Sequence, residues 1–215
     1  APVAAYALCW TLRSLPSDEE HGEPRPPLLA LSRGARSRAA LLRRRLARIH
    51  REQLKEPARA YAATALGLEA VQVSEPVREA RELASKGSFA RAADALQGSL
   101  SETPPEGQLE LLLELARIAE TALADREMAE SAYRRVRMLH PQAIEALTFF
   151  SEWHVEQKDA RRAYAVCAQL HGQLESADAR GDRVELARKM AHIAAQDLKS
   201  QEKEIEAWKR LLEDK

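Results

Sequence analysis

Asparagine is absent from this sequence, cysteine occurs twice, and aromatic residues make up only 5% of the 215 residues. Cys9 and Cys167 are too few for a disulfide framework and leave the redox compartment undetermined. No apolar run approaches the roughly 18 residues that a transmembrane helix needs. Net charge is also missing, because 33 basic side chains balance 33 acidic ones. A domain that binds nucleic acid strongly is usually basic overall, so the sequence gives no simple indication of a polyanion partner.

Strand signals are missing as well, with no Asn-Gly turn and no sustained alternation of β-branched residues. Alanine, leucine, glutamate and arginine dominate instead, and this composition favours helix nearly throughout. Arginine outnumbers lysine by 25 to 8, which points to a GC-rich bacterial genome. The chain has no initiator methionine, and its last residues form an unfinished helical pattern. We therefore expect a fragment of a longer bacterial polypeptide, from the cytoplasm or the cell envelope, with any targeting signal outside it.

Internal repeats are the main positive signal. Residues 46–49, 115–118 and 190–193 read LARI, LARI and MAHI, and a leucine follows each at the eighth residue after its first position. The first two segments lie 69 residues apart, and the first and third lie 144 apart. Three gap-free matches of this kind are difficult to obtain from helical composition alone, so we expect a repeated helical unit.

One segment carries the packing, capping and closing residues of a known repeat. These residues are Leu112, Leu115, Ala116, Asp125, Ala129 and Pro141. Residues 108–141 thus resemble a tetratricopeptide repeat, the 34-residue helix–turn–helix unit. Ala163 follows Ala129 by 34 residues and would mark the next close contact between paired helices. Other units fit less well: the one at Leu46 has an extra residue before its turn, and the last has Glu204 where a small residue is expected.

The resemblance implies an all-α fold, a right-handed α-solenoid of antiparallel helix hairpins. Residues 1–16 would be the second helix of a truncated repeat, 17–34 an irregular proline-containing insertion, and 35–215 about five hairpins in one continuous array. The alternative is that the insertion separates two short arrays. The predicted helices cover about 2–15, 35–54, 57–70, 77–86, 89–101, 107–123, 127–139, 143–157, 160–174, 182–198 and 202–213. Such hairpins bury their apolar faces by stacking on their neighbours.

An arginine stripe is the most conspicuous candidate site. Arg44, Arg48 and Arg51 share one side of a predicted helix, and the resemblance places this side on the inner, groove-lining face. Guanidinium groups suit carboxylates or phosphates, so we expect contacts with an acidic partner, whereas the alternative is an ordinary solvated face. The corresponding inner positions of later units are Arg117, Glu120, Glu152, Glu156, Arg188 and His192. The resulting groove would be basic at one end and acidic in the middle.

Aromatic residues offer a second surface. Phe149 and Trp153 share a helix side and form either a binding hot spot or part of the core. Trp208 would meet a following repeat, so self-association through this end is possible. Cys167 and His171 have the spacing of two metal ligands on a helix, but two ligands are weak evidence, and a buried cysteine beside a helix-end histidine is the favoured interpretation.

The function that these patterns favour is a protein–protein interaction scaffold that binds a partner segment in a concave groove. The alternative is a structural spacer or self-association module of a large repeat protein. RNA or DNA binding is weaker, because no aromatic residues interleave with the arginines. Motifs for phosphate binding, nucleophilic catalysis or metal ligation are missing, so we expect no enzyme, cofactor or metal. A clamp for the C-terminal carboxylate of chaperones is disfavoured, since the resembled family uses paired asparagines there.

Overall fold

The structure, a computed structural model, describes residues 33–65, 73–174 and 179–214. The predicted helix at 2–15 and nearly all of the predicted insertion lie outside these residues. The helices are α1 (Arg33–Glu52), α2 (Pro57–Ala65), α3 (Glu75–Ser85), α4 (Phe89–Glu102), α5 (Gln108–Ile118), α6 (Arg126–Leu139), α7 (Ile144–Glu156), α8 (Ala160–Gln173), α9 (Arg180–His192) and α10 (Gln201–Glu213). No strand occurs in the described ranges, which confirms the all-α prediction there.

The helices pack as antiparallel neighbours in sequence order. The pairs are α1–α2, α3–α4, α5–α6, α7–α8 and α9–α10, and α4, α6 and α8 each pack on the first helix of the next pair. Ala92, Ala129 and Ala163, near the starts of α4, α6 and α8, are fully buried. Since alanine occupies little space, paired helices approach closely at these points. Asp125 and Asp159 cap α6 and α8 by accepting backbone N–H bonds from the first turn.

The first hairpin is placed differently from the four that follow. Outside its own hairpin, the second helix, α2, packs mainly on the π-helical turn Ala119–Leu123 that follows α5. It makes little contact with α3. Its first helix, α1, lies against α7 and the same turn. The hairpin α1–α2 therefore packs over the first helices of later pairs. It does not stack on the next hairpin in sequence, as the later hairpins do.

The turns inside the hairpins fall into two kinds that alternate along the chain. In the tight turns after α3 and α7, Ser88 and Asp159 donate their backbone N–H to a carbonyl five residues back. In the wide turns after α1, α5 and α9, Glu56, Asp125 and Ser200 donate to a carbonyl six residues back. Both kinds of turn contain a residue with positive φ: Lys55, Ala124 and Lys199 in the wide turns, and Gly87 and Lys158 in the tight ones. The three wide turns are the ones that follow the LARI, LARI and MAHI segments, so that sequence repeat corresponds to one recurring turn structure.

Candidate functional site

Helix α1 lies across the first helices of three later hairpins and encloses a cleft with them. The cleft has a volume of about 280 Å³ and is lined by side chains of α1, α5 and its π-helical turn, α7 and α9. Its walls carry both signs of charge, with Arg43 and Arg117 near Glu145 and Glu152. One wall of the cleft is therefore α1 itself.

Three arginines of α1, spaced by three residues, reach α9, α7 and the π-helical turn that follows α5. Arg45 pairs with Asp182 at 3.2 Å and with Glu185, both on α9. Arg48 pairs with Glu152 on α7 at 3.4 Å. The Arg51 guanidinium donates to the backbone carbonyl of Glu120 after α5 at 2.6 Å. We call these residues, Arg45, Arg48 and Arg51, the arginine row. Because the row meets α9 near its start and α5 beyond its end, α1 crosses the three helices obliquely.

A buried carboxylate fixes the position of the hairpin α1–α2 on the cleft. Glu114 of α5 is only 1% exposed. It accepts a hydrogen bond from the Tyr61 hydroxyl at 2.6 Å, and its other oxygen accepts from Arg81 at 3.1 Å and Arg117 at 2.6 Å. Burial is the main reason why the pKa of Tyr61 is raised, and the nearby Glu114 charge raises it further. Tyr61 therefore remains a neutral hydrogen-bond donor and ties α2 to α5.

Arg43 extends the charged lining of the cleft. Burial lowers the pKa of its guanidinium, the positive charge of Arg117 lowers it further, and Glu145 acts in the opposite direction. Lys189 on α9 donates to the backbone carbonyl of Ser151 at 2.9 Å. Cations therefore come both from α1 and from the helices beneath it.

Arg126 covers the aromatic pair that the sequence singled out. Its guanidinium lies 5.1 Å from the centre of the Phe149 ring and 5.7 Å from that of Trp153, and it pairs with Glu156. Phe149 is fully buried and stacks on Trp153 with ring centres 5.8 Å apart. Phe149 is therefore a core residue, and Trp153 is half-buried beneath a charged side chain.

The predicted groove residues divide into three groups. Arg48, Arg51, Arg117, Glu120 and Glu152 line the cleft. Glu156, Arg188 and His192 do not line it, and the last two are exposed on α9. The side chain of Arg44 lies outside the described residues. Because α1 crosses obliquely, α9 meets it through Asp182 and Glu185, in its first half. Sequence reasoning missed Asp182 and Glu185, although their i, i+3 spacing marks one acidic helix side.

A second buried polar cluster joins α10 to α8 and α9. His171 is bonded to Asp214 at 2.7 Å, and Arg183 pairs with the other Asp214 oxygen at 2.6 Å. Burial lowers the pKa of His171, although Asp214 opposes this shift. Cys167 is fully buried, and burial raises the pKa of its thiol. His171 thus pairs with a carboxylate at the end of α10, and among the described residues no group of three His, Cys, Asp or Glu side chains is arranged to hold a metal ion.

An apolar stripe lies on the outer side of α10. Ile205, Trp208 and Leu212 are 55%, 47% and 68% exposed, and their i, i+3, i+7 spacing places them on one helix side. Trp208 lies eight residues after the N-cap of α10. The equivalent positions in α4, α6 and α8 are Leu96, Tyr133 and Cys167, and all three are buried. The stripe is therefore the exposed counterpart of surfaces that the next helix pair covers elsewhere in the molecule.

Within the described ranges, no helix combines the length and the apolar character that crossing a membrane requires. A comparison with models of known protein families finds no match for this chain, and a comparison with curated proteins finds none either.

Proposed function

We propose that this chain is a protein–protein interaction scaffold, a right-handed α-solenoid of tetratricopeptide-like hairpins that binds a partner segment across α5, α7 and α9. One observation carries the proposal: carboxylates of α7 and α9 and a backbone carbonyl beyond α5, from three successive hairpins, all meet the arginine row of a single crossing helix, α1. A surface built from successive hairpins recognises an extended or helical segment through many separate contacts. This is the recognition mode of a repeat scaffold.

The sequence of the hairpins supports the solenoid part of the proposal. Ala129 and Ala163 are 34 residues apart and both are fully buried at helix contacts. Each second helix from α4 to α8 packs on the first helix of the next pair. Contacts between sequential neighbours are those that stabilise an open helical array.

Site-specific photo-crosslinking tests the binding function. Benzoylphenylalanine replaces Glu145, which is exposed and lines the cleft. The matched position is Arg161, exposed on α8 away from the cleft. Crosslinking is carried out in cells that express the protein, and adducts are identified by mass spectrometry.

The proposal expects a defined partner adduct at position 145 and none at position 161. Equal adducts at both positions, or adducts at position 161 alone, would contradict binding across the inner helices.

A second candidate function is self-association, which the exposed stripe Ile205, Trp208 and Leu212 favours. Apolar surface of this kind is stabilised when another helix covers it, at about 25 cal/mol per Å² of apolar area removed from water. In this case the chain acts as a spacer whose end faces contact a copy of itself. RNA or DNA binding through α1 has less support, because Arg45 and Arg48 are already paired with carboxylates of the chain.

Light scattering over a range of concentrations tests self-association. The wild type is expected to increase in mass with concentration, and Trp208→Glu is expected to remain a monomer. Met138→Glu is the matched control, because Met138 is 71% exposed at the end of α6 and lies outside the stripe. A strictly monomeric wild type would argue against this candidate.

A further inference from the structure

Several acidic groups of the cleft are reached by arginines of one helix, α1. Glu152, Asp182 and Glu185 lie on α7 and α9, and Arg48 and Arg45 of α1 reach them. On the neighbouring π-helical turn, the Glu120 carbonyl accepts from Arg51. The acceptors thus form a line across three helices, and each step of three residues along α1 reaches the next one. This line, Glu120 carbonyl, Glu152, Asp182 and Glu185, is called the acceptor line.

The attachment of α1 to the acceptor line is of a kind that exchanges readily. The Arg45 and Arg48 side chains remain 46% and 51% exposed. Exposed ion pairs contribute only about 0.2–1 kcal/mol each, and salt screens them. Among the described side chains of α1, the buried apolar ones, Leu46 and Ala47, cluster with Ala60 and Ala63 of α2, and this cluster is separate from the main core. Helix α1 can therefore leave the cleft without opening the core beneath it.

We propose that the acceptor line is a binding site for a partner helix that presents arginines at i, i+3 and i+6, and that α1 occupies this site until such a helix displaces it. The inference rests on the proposed function, because it names the partner class and the regulation of the same surface. The guanidinium group of arginine pairs well with carboxylate and carbonyl oxygens. Arginines spaced by three residues along a helix match the spacing of the acceptor line. An acidic partner would meet like charge at Glu152 and Glu185, so the acceptor line favours a basic segment.

A labelled peptide with the sequence of residues 33–52 tests the proposal by fluorescence anisotropy. A second peptide carries glutamate at the three positions of the arginine row. The chain variants are R45E/R48E/R51E, which releases α1, and E152K/E185K, which also breaks the α1 contact but removes the acceptor line. The control chain, R91E/R134E/R161E, has the same charge change at exposed positions on α4, α6 and α8.

The R45E/R48E/R51E chain is expected to bind the native peptide at least about tenfold more tightly than the wild type or the control chain. In those two chains α1 occupies the site, and the peptide can bind only the fraction of molecules whose site is free. The E152K/E185K chain and the reversed peptide are expected to show no binding. Equal affinity of all chains for the native peptide, or equal binding of the reversed peptide, would overturn the proposal.

Hydrogen exchange on the unmutated chain gives a second measurement that does not depend on a variant's folding. Saturating native peptide should increase exchange in α1 and leave α5 and α7 protected. Unchanged protection of α1 would refute displacement. These outcomes are independent of the crosslinking result: peptide binding without a cellular adduct at position 145 would leave the acceptor line intact and remove the scaffold function.

Discussion

The first hairpin and the four hairpins that follow are held in place by different interactions. From α3 to α8, buried leucines, alanines and aromatic rings form one continuous core. Helix α2 joins this core only through Tyr61, whose ring lies 5.9 Å from that of Phe89, and α1 has a separate small cluster. Ion pairs and the Arg51 hydrogen bond attach α1 to α9, α7 and the π-helical turn. The body is therefore stabilised by apolar burial that salt does not screen, whereas the position of α1 depends on screened charges.

This difference allows the helices from α3 onward to keep their packing while α1 leaves the cleft for another helix. Local stability follows the density of buried apolar contacts, and segments with few such contacts open first. Helix α1 is such a segment, and it is also the one that covers the cleft. The joint between the two regions is the buried Glu114 cluster, because Tyr61 and Arg117 meet on its carboxylate.

The largest expected effect comes from breaking that joint. Glu114→Ala removes the shared acceptor and leaves two half-buried guanidinium groups and a buried tyrosine hydroxyl without it, so we expect a loss of about 3–5 kcal/mol in the free energy of unfolding. Urea denaturation followed by circular dichroism measures the loss. Glu110→Ala on the same helix is the control, because Glu110 is less buried and contacts only the Ser74 backbone N–H at 3.2 Å. A similar loss in both variants would mean that the cluster has no special role.

The next prediction separates the two cores. Leu112 is fully buried in the main core, and Leu112→Ala should cost about 2–5 kcal/mol of unfolding free energy. Leu46→Ala should instead increase hydrogen exchange in α1 and α2 while the urea midpoint of the remaining helices stays nearly constant. If Leu46→Ala lowered that midpoint as much as Leu112→Ala does, the first hairpin would be an integral part of the main core.

The sequence predicted the helices well because helix propensity and apolar periodicity are local properties. The predicted limits agree with the observed ones within two residues when the π-helical turns Ala119–Leu123 and Ile193–Leu198 are counted with α5 and α9. Two predicted helices are not fully compared, because 2–15 and the end of 57–70 lie outside the described residues. The buried alanines at 92, 129 and 163 were also predictable, since their spacing follows the hairpins. The all-helical class is therefore confirmed for the described ranges, while the solenoid arrangement and the partner stay predictions.

The placement of α1 could not be derived in the same way. Whether Arg48 faces solvent or Glu152 depends on how α1 crosses helices a hundred residues away, and no local pattern specifies that angle. The resemblance assumed regular stacking, and it therefore assigned Arg188 and His192 to the groove in place of Asp182 and Glu185. The 69-residue offset between the two LARI segments joins the hairpins α1–α2 and α5–α6, which both have a wide turn. It skips the hairpin α3–α4, which has a tight turn.

A smaller effect concerns the positive-φ residue that both kinds of turn contain. Ala124 in a wide turn has a φ of 56°, a conformation that costs an alanine roughly 1–2 kcal/mol. Ala124→Gly removes this cost, so we expect stabilisation of about 1 kcal/mol after the entropy of glycine is subtracted. The reverse change in a tight turn, Gly87→Ala, should destabilise by a similar amount, because Gly87 has a φ of 76° although an added Cβ would meet no atom within 4 Å. Thermal unfolding of the two variants checks both signs, and a shift of both in one direction would contradict the argument.

The smallest expected effect concerns pH at the other end of the array. Burial lowers the folded-state pKa of His171, so folding favours its neutral form. The corresponding stability is present above the unfolded pKa of about 6.5 and is lost as pH falls from that value toward the lowered folded pKa. His171→Gln retains a hydrogen-bond donor for Asp214 but cannot titrate. Between about pH 7.5 and about pH 5.5, which bracket the ordinary histidine pKa, the wild type should lose more of its urea midpoint than the variant does. An equal loss would show that His171 does not couple the end of α10 to pH.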